Sequence, residues 1–436
     1  MFTLKNNIAL ASLLTSFVQS AFALESFTIS TIKFEPGLEI GVGFIDNVQQ
    51  DFGSKTSVYG LDIDQSGQRW EGYIKPSLAF ELPMDSAGTL YGKTSVVSSL
   101  SRGDSDGLGY TRDDPTDTDW DDGYLGWRSG TTLPWLGTDA LSISVGRQPF
   151  IIGSGFLIGE GHIDQGHEGT YWLAPRKAFD WTAIATLNVG EFHADLFHLK
   201  TRQDIDVVDY SENVTVDGIN SEWRSPTWGT YGATAFWTRD NESPTRNGLQ
   251  VKDVRGSLVP LQNFPELNLA GEYAWQDHSA QNLSAHAWYL ETSYTFKDAP
   301  WQPVLTYRYS RFSEKYDSLL YGYSGDYGYW FQGEIVGESM LFNMNERVNM
   351  LKLTAYPSAE LRVGAIGYQF SFDKAPEGVT DRDFAKELDL YADWMPNPHW
   401  TVGALYGIAR PDEGAKQFLG NDKTSNLFET YVTYKF

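Results

Sequence analysis

Long runs of alternating apolar and polar residues constrain the fold of this chain more than any other feature of its sequence. Between residues 34 and 44, apolar residues occupy every second position, and glutamate or glycine lies between them. The segments 69–82 and 387–394 repeat the pattern. Side chains alternate across a β-strand, so each run predicts a strand with one apolar face and one polar or small face. Strands of about ten residues match the length with which a tilted strand crosses a bilayer and exceed the usual strand of a soluble sandwich.

The last residues of the chain continue this pattern and end on an aromatic residue. Phe428, Val432, Tyr434 and the terminal Phe436 share one face, which resembles the C-terminal strand by which bacterial outer-membrane barrels are recognised for assembly. A large secreted sandwich or propeller also alternates, but aromatic residues near strand ends favour the interfacial girdles of a membrane barrel. These residues are Trp275, Trp288, Phe296, Trp394 and Trp400. We therefore predict an all-β fold, a transmembrane antiparallel β-barrel with both termini in the periplasm.

The first 23 residues have the pattern of a secretory signal peptide. Lys5 supplies a positive charge, residues 8–18 form an apolar run, and Ala21-Phe22-Ala23 is a small-x-small cleavage site. We expect cleavage after Ala23 and a single barrel domain over residues 24–436, with an N-terminal anchor helix as the alternative. No later segment has the roughly 18 consecutive apolar residues that a transmembrane helix needs.

Charge and cysteine content bear on the possible partners. The formal charge is -24, and the chain has no cysteine. Nucleic-acid binding needs clustered cations that release phosphate counterions, so we expect no nucleic-acid partner. Without thiolates there is neither a disulfide framework nor a cysteine metal site. We expect no cofactor and no bound metal.

Short connections separate pairs of predicted strands, and long polar loops lie between these pairs. The short connections cover residues 83–88, 129–140, 188–191, 225–229, 260–266, 297–303, 357–360 and 396–399. Eight short turns with both termini on the same side predict about 18 strands, an even number as in bacterial barrels. Sixteen strands are the alternative, because strand boundaries read from sequence shift by a few residues. The least distinct predicted strands are 122–127 and 214–223.

Short motifs resemble the alginate-export family of outer-membrane porins. Residues 141–148 read Leu-Ser-Ile-Ser-Val-Gly-Arg-Gln, like the family's strand that ends in Gly-Arg-Gln. After a glycine-rich loop, Arg176 and Asp180 match the Arg and Asp that open the family's next strand, and residues 386–391 are similar to its Glu-Leu-Asp-Leu strand. The resemblance implies an 18-stranded barrel and passage of an anionic uronate polymer such as alginate, or of related solutes.

The inward faces of the predicted strands carry both signs of charge. Candidate pore-lining and selectivity residues are Arg147, Gln148, Arg176, Asp180, Asp253, Arg255, Glu272, Glu291, Arg308, Glu387 and Asp389. This mixed lumen departs from the family's type member, whose pore is dominated by cations. Opposed cations and acids at a constriction select by size and dipole as well as by charge, and suit sugars or small organic acids.

Arg147 is ambiguous within this set. By strict alternation it shares a face with Ile143 and Val145, which places a charge on the lipid side. It then either lies at the outer interface and extends its charge to water, or a bulge at Gly146 turns it into the lumen. The family resemblance favours the inward position.

Three predicted loops have unusual composition. Residues 150–175 combine glycines with His162, Asp164, His167 and Glu168, and we expect this loop to constrict the pore; a metal site is disfavoured because no helix places both histidines on one face. Residues 104–122 form an acidic loop, for which we favour a solvated surface over calcium binding. Residues 313–345 are rich in aromatics and fold either as a lid over the mouth or as a self-packed cap. The lid candidates are Tyr321, Tyr323, Tyr329 and Trp330.

The favoured function is therefore an outer-membrane channel for a polar solute, an alginate-like anionic polysaccharide or a related sugar or organic acid. We expect a monomer in contact with outer-membrane lipid and lipopolysaccharide. One alternative is an outer-membrane hydrolase, for which His193 and Asp195 lie close together, but no Gly-x-Ser-x-Gly motif accompanies them. The other is a surface adhesin or receptor barrel with a blocked lumen.

Overall fold

In the computed structural model, eighteen antiparallel strands form one closed barrel. The structure describes residues 25–436 apart from 59, 202, 206–209, 213, 241–242, 262 and 323–331. The strands, numbered here β1 to β18 along the chain, are Ile32–Val48, Ser66–Pro83, Thr89–Gly103, Thr116–Arg128, Leu141–Gln148, Phe179–Val189, Phe192–Lys200, Thr215–Ser225, Gly229–Arg239, Gln250–Leu258, Leu267–His278, Leu283–Thr295, Val304–Phe312, Glu346–Ser358, Leu361–Phe372, Asp383–Asn397, Trp400–Pro411 and Ser425–Lys435.

Each strand pairs with its sequence neighbours, and β1 closes the barrel against β18 in a register that aligns Val42 with Val432. All eight short turns lie where the sequence predicts them, at one end of the barrel. The eighteen-strand prediction is confirmed, and the sixteen-strand alternative is wrong. The predicted signal peptide, residues 1–23, lies outside the described residues.

Other elements are short and lie before or between the barrel strands. A three-residue strand, Phe27–Ile29, precedes β1 and pairs with it, and Gln203–Ile205 pairs with Tyr210–Glu212. The helical segments are Gln50–Gly53, Asp85–Ala87, Gly166–Glu168, Ser279–Gln281, the π-helix Gly333–Leu341 and the α-helix Glu413–Leu419. No helix within the described ranges has the length and apolar character needed to cross a membrane.

The barrel exterior is a belt of exposed apolar side chains. Leu196 is 59% exposed, Leu290 63% and Leu351 54%. In water these side chains would form a patch far larger than soluble monomers tolerate. Exposed tryptophans lie at the short-turn end, where Trp135, Trp228 and Trp301 occupy the turns themselves. An apolar band with aromatic residues at its edge is the surface of a barrel that spans a membrane.

Strand β4 is longer than the sequence predicts, and this corrects the acidic-loop assignment. It begins at Thr116, so the aspartates at 117–122 belong to the barrel wall. The register against β3 shifts between Thr94 and Val96, which marks a bulge near residues 120–123. A bulge interrupts the period-two pattern, and the sequence therefore looked like a loop. Asp121 and Asp122 are both buried and contact inward cations.

Two apolar clusters lie inside the barrel, where inward-folded loops pack on the wall. Residues 152–158 pack against the inner faces of β6 to β13. The π-helix and its flanks pack against β1 and β14 to β18. Burying these apolar groups away from water stabilises the loops in this position. The two loops thus occupy opposite parts of the wall and narrow the lumen between them.

Candidate functional site: the lumen and its anchored loops

The loop between β5 and β6, residues 149–178, is anchored to the wall by two carboxylates. Glu71 on β2 accepts hydrogen bonds from the backbone N–H groups of Trp172 (3.0 Å) and Leu173 (2.9 Å). Asp121 on β4 accepts them from Lys177 (3.1 Å) and Ala178 (3.0 Å). In both cases one inward acid satisfies two consecutive donors that would otherwise be buried without partners.

Arg176 lies at the centre of this loop and is 1% exposed. Its guanidinium donates to Asp164 at 2.5 Å and to Asp117 at 2.7 Å, and its backbone N–H donates to Asp164 at 2.9 Å. The sequence motif placed Arg176 at the start of a strand, but β6 begins only at Phe179. Arg176 therefore joins the loop to itself and to β4, and its charge is neutralised by two aspartates.

His162, Asp164 and Glu168 form a compact group in the same loop, with one ligand atom of each within 4.8 Å of the others. His162 Nε2 is 2.6 Å from Glu168 Oε2. Burial lowers the pKa of His162, but the Glu168 carboxylate outweighs this effect and raises it overall. A histidine and two carboxylates are donors that a divalent cation accepts. Here Arg176 already pairs its positive charge with Asp164, so the geometry gives no independent support for a metal.

A third carboxylate anchors the π-helix. Glu387 on β16 accepts hydrogen bonds from the backbone N–H groups of Ile335 (2.9 Å) and Val336 (2.8 Å) in its first turn. These N–H groups have no partner within a helix, and a carboxylate at a helix N-terminus is electrostatically favourable. Strand alternation predicts Glu387 as an inward selectivity residue. It does point inward, but the helix covers its carboxylate.

Five inward cations, Arg69, Lys75, Arg176, Arg255 and Arg308, are all ion-paired. Arg69 pairs with Glu71 at 2.9 Å, Lys75 with Asp121 at 2.5 Å and Arg308 with Glu291 at 3.4 Å. Arg255 pairs with Asp253 at 2.7 Å and with Glu222 at 2.6 Å, beneath Gly153 of the loop. Arg176 is paired as described above. Cations of the wall are thus held in place by neighbouring acids.

Several inward acids have carboxyl oxygens without hydrogen-bond partners. Asp389 is 1% exposed, and neither of its carboxylate oxygens has a hydrogen-bond partner among the described residues. The same holds for both oxygens of Glu272 and for one oxygen of Glu429. The described wall therefore combines ion-paired cations with additional acidic groups. The chain as a whole has a formal charge of -24, and a field of this sign attracts cations and opposes long polyanions.

Arg147 and Asp180 lie on the outside of the barrel, which corrects their assignment to the pore. The predicted irregularity is present, because the register between β5 and β6 shifts after Gly146. The extra residue, however, lies in β6 near Asp180, so Arg147 keeps the outward face of Ile143 and Val145. Arg147 is 3.8 Å from Asp180. Gln148 does point inward, where its amide donates to Ser144 and Thr182.

The aromatic loop is only partly described. Tyr323, Tyr329 and Trp330 lie outside the described residues. Tyr321 is half-buried, and Tyr316 is 3% exposed within the apolar cluster beside Phe312. Leu320 forms a bridge with Ile158. The described portion of this loop therefore packs onto the loop between β5 and β6, residues 149–178, which agrees with the alternative of a self-packed cap.

The predicted hydrolase residues are arranged unfavourably for catalysis. His193 Nε2 is 2.8 Å from Asp195, and its Nδ1 is 2.7 Å from the side-chain oxygen of Asn188. Both ring nitrogens face oxygen acceptors, so the ring has no free nitrogen with which to take a proton from a nucleophile. His198 lies on the outward face, where it contacts Asp217 at 2.7 Å.

Alternation places Glu71 on an inward face, but the sequence reveals neither the anchoring role of Glu71 and Asp121 nor the π-helix. The signal that was available is the group of apolar residues Ile335, Val336, Met340 and Leu341, because a solvated loop does not bury apolar side chains. Their burial against the wall explains them.

Solved structures of outer-membrane porins of the Occ and OprD type share this fold. OccAB4 of Acinetobacter baumannii aligns at a TM-score of 0.57 and 12% identity, over 92% of this chain and 98% of that one. The outer membrane protein OprD from Pseudomonas aeruginosa aligns at 0.55 and 11%, over 92% and 93%. OccK2 (OpdF) of the same organism, solved in complex with glucuronate, aligns at 0.55 and 11%, over 92% and 98%.

At these identities the likeness shows the fold. No protein-family model matches the sequence, and no curated protein matches it. The apolar exterior and the shared fold together locate the chain in the bacterial outer membrane.

Proposed function

We propose that this protein is an outer-membrane channel for small polar solutes, of the size of a single sugar acid. The observation that carries the proposal is the lumen itself, which is polar, lined by fixed ion pairs and narrowed by two loops anchored to opposite walls. Pores of this kind select by size and by the arrangement of charge. We further propose that residues 24–436 form the single mature domain, that residues 1–23 direct its export and that the chain is a monomer.

Alginate is the second candidate, and it is supported by the short sequence motifs alone. The anchored loops and the net negative charge of the chain both oppose a polyuronate. The glucuronate bound to the OccK2 structure is a single uronic acid, and for this chain it is a suitable test solute. Sugars and small organic acids fit the paired charges of the lumen better than a polymer does.

A solute-uptake assay with the purified protein in liposomes tests this proposal. We expect glucuronate and neutral monosaccharides to enter, and alginate oligomers to be excluded. Uptake of alginate oligomers would reverse the order of the two candidates. Exclusion of every small solute would reject the channel in favour of an adhesin or receptor, and hydrolysis of lipid or peptide in the same preparation would favour the enzyme.

A further inference from the structure

Charged residues lie on the outer surface of the barrel near the long-loop end of several strands, and four of the cations lie within the run of strands β5 to β10. Lys200 on β7, Arg239 on β9 and Lys252 on β10 share the outward face with exposed apolar residues such as Leu196 and Val254. Arg147 on β5 belongs to the same region, as described above. These four cations are defined here as the exterior basic patch.

The patch is linked by two aspartates that also face outward. Asp180 lies between Arg147 (3.8 Å) and Lys200 (3.9 Å), and Asp217 contacts Arg239 at 2.5 Å. Asp277 on β11 also faces outward and lies opposite Gln250, beside Lys252. Four cations against these three aspartates leave one net positive charge. Lys200 and Arg239 retain 43% and 57% of their side-chain exposure, so both can contact a further anion.

The depth of the patch follows from strand geometry. Along β7, Phe192 adjoins the short turn, and Lys200 lies eight residues further along. At about 3.3 Å per residue and a tilt of about 40°, Lys200 is roughly 20 Å higher along the membrane normal. The apolar band of such barrels is about 25 Å tall. The patch therefore lies at the edge of the band on the long-loop side, which in bacterial barrels faces the outside.

We propose that the exterior basic patch binds the phosphate groups of lipopolysaccharide in the outer leaflet. Arginine and lysine at the edge of the hydrocarbon extend their charges toward the headgroups. Clusters of such cations recognise phosphorylated lipids, and arginine forms paired hydrogen bonds with phosphate. Asp180 and Asp217 hold the cationic side chains apart and in place. This inference concerns the exterior surface and stands independently of the solute that passes through the lumen.

The test uses the full chain in lipid nanodiscs and two probes, lipid A with its phosphates and the same lipid A after dephosphorylation. The variant combines Lys200→Ala, Arg239→Ala and Lys252→Ala. At about fivefold for each cation, we expect affinity for phosphorylated lipid A to fall about 100-fold. Lys297→Ala is the control, because Lys297 is an exposed lysine in a short turn at the opposite end of the barrel.

Unchanged affinity of the triple variant would overturn the proposal. Equal affinity of the unmodified protein for the phosphorylated and the dephosphorylated lipid would also overturn it, because phosphate would then not be recognised. This second comparison needs no variant, so it decides the question even if the triple variant fails to fold. Folding is checked by the mobility of the unboiled protein on gels.

Discussion

Replacing Glu387 tests whether the wall carboxylates hold the loops that narrow the lumen. Glu387→Ala removes both hydrogen bonds to Ile335 and Val336. Hydrogen bonds to a charged group contribute about 1.5 to 3 kcal/mol each, so the π-helix loses about 3 kcal/mol or more of docking free energy. That loss lowers the ratio of docked to released helix by about 100-fold. The apolar contacts of Ile335 and Val336 remain, and we expect the helix to leave the wall intermittently rather than permanently.

Single-channel recording in planar bilayers measures this directly. For Glu387→Ala we expect the current to fluctuate between the unmodified level and a larger one. Glu360→Ala is the matched control, since Glu360 is an exposed glutamate in the short turn between β14 and β15, and we expect it to leave the current unchanged. A steady current at the unmodified level in Glu387→Ala would refute the anchoring argument.

Three further predictions follow from the same structure. Gly155 has φ +82, and a Cβ added there would overlap the backbone carbonyl of Gly322 in the aromatic loop. Gly155→Ala should therefore displace the loop of residues 149–178 and raise the conductance. Gly190→Ala is the control and should leave the conductance unchanged, because Gly190 has φ +59 and open space around it. The pKa of His162 is higher in the folded protein than in the unfolded chain, where it is about 6.5. Protonated His162 therefore stabilises the fold fully below about pH 6.5, and this stabilisation is lost as the pH rises through the pKa of the folded state. Amide hydrogen exchange in residues 162–168, corrected for its intrinsic pH dependence, should therefore show weaker protection at pH 8.5 than at pH 6, and His162→Asn should remove this difference. Arg147→Ala should leave the reversal potential in asymmetric salt unchanged because Arg147 is outside the barrel, whereas Arg255→Ala should shift it toward stronger cation preference; an equal shift in both would contradict the assignment.

Strand number and turn positions were readable from the sequence because both depend on local properties. Alternation fixes which face of a strand meets lipid, and turn residues such as Pro83 and Gly88 mark where strands end. The same local logic failed at β4, where a bulge breaks the period and aspartates on the wall resemble a loop. At Arg147 alternation gave the outward face correctly, and the inward position that the family resemblance favours is not found, because the extra residue lies in the partner strand.

The interior of the barrel was less predictable, since it depends on contacts between distant segments. Glu71 meets Trp172 across 101 residues, and Ile335 meets Glu387 across 52. Period-two analysis gives the inward direction of Glu71 and Glu387, but it cannot distinguish an acid that faces solute from one that receives backbone N–H groups. Only the course of the loops separates these two roles.

The central claim is that a polar, acid-rich lumen narrowed by anchored loops conducts small solutes through the outer membrane. Reversal potentials of single channels of the purified protein, recorded in asymmetric potassium chloride, test it most directly. We predict discrete conductance steps with a reversal potential on the cation-selective side. Absence of steps from correctly folded protein, or a reversal potential on the anion-selective side, would contradict the account.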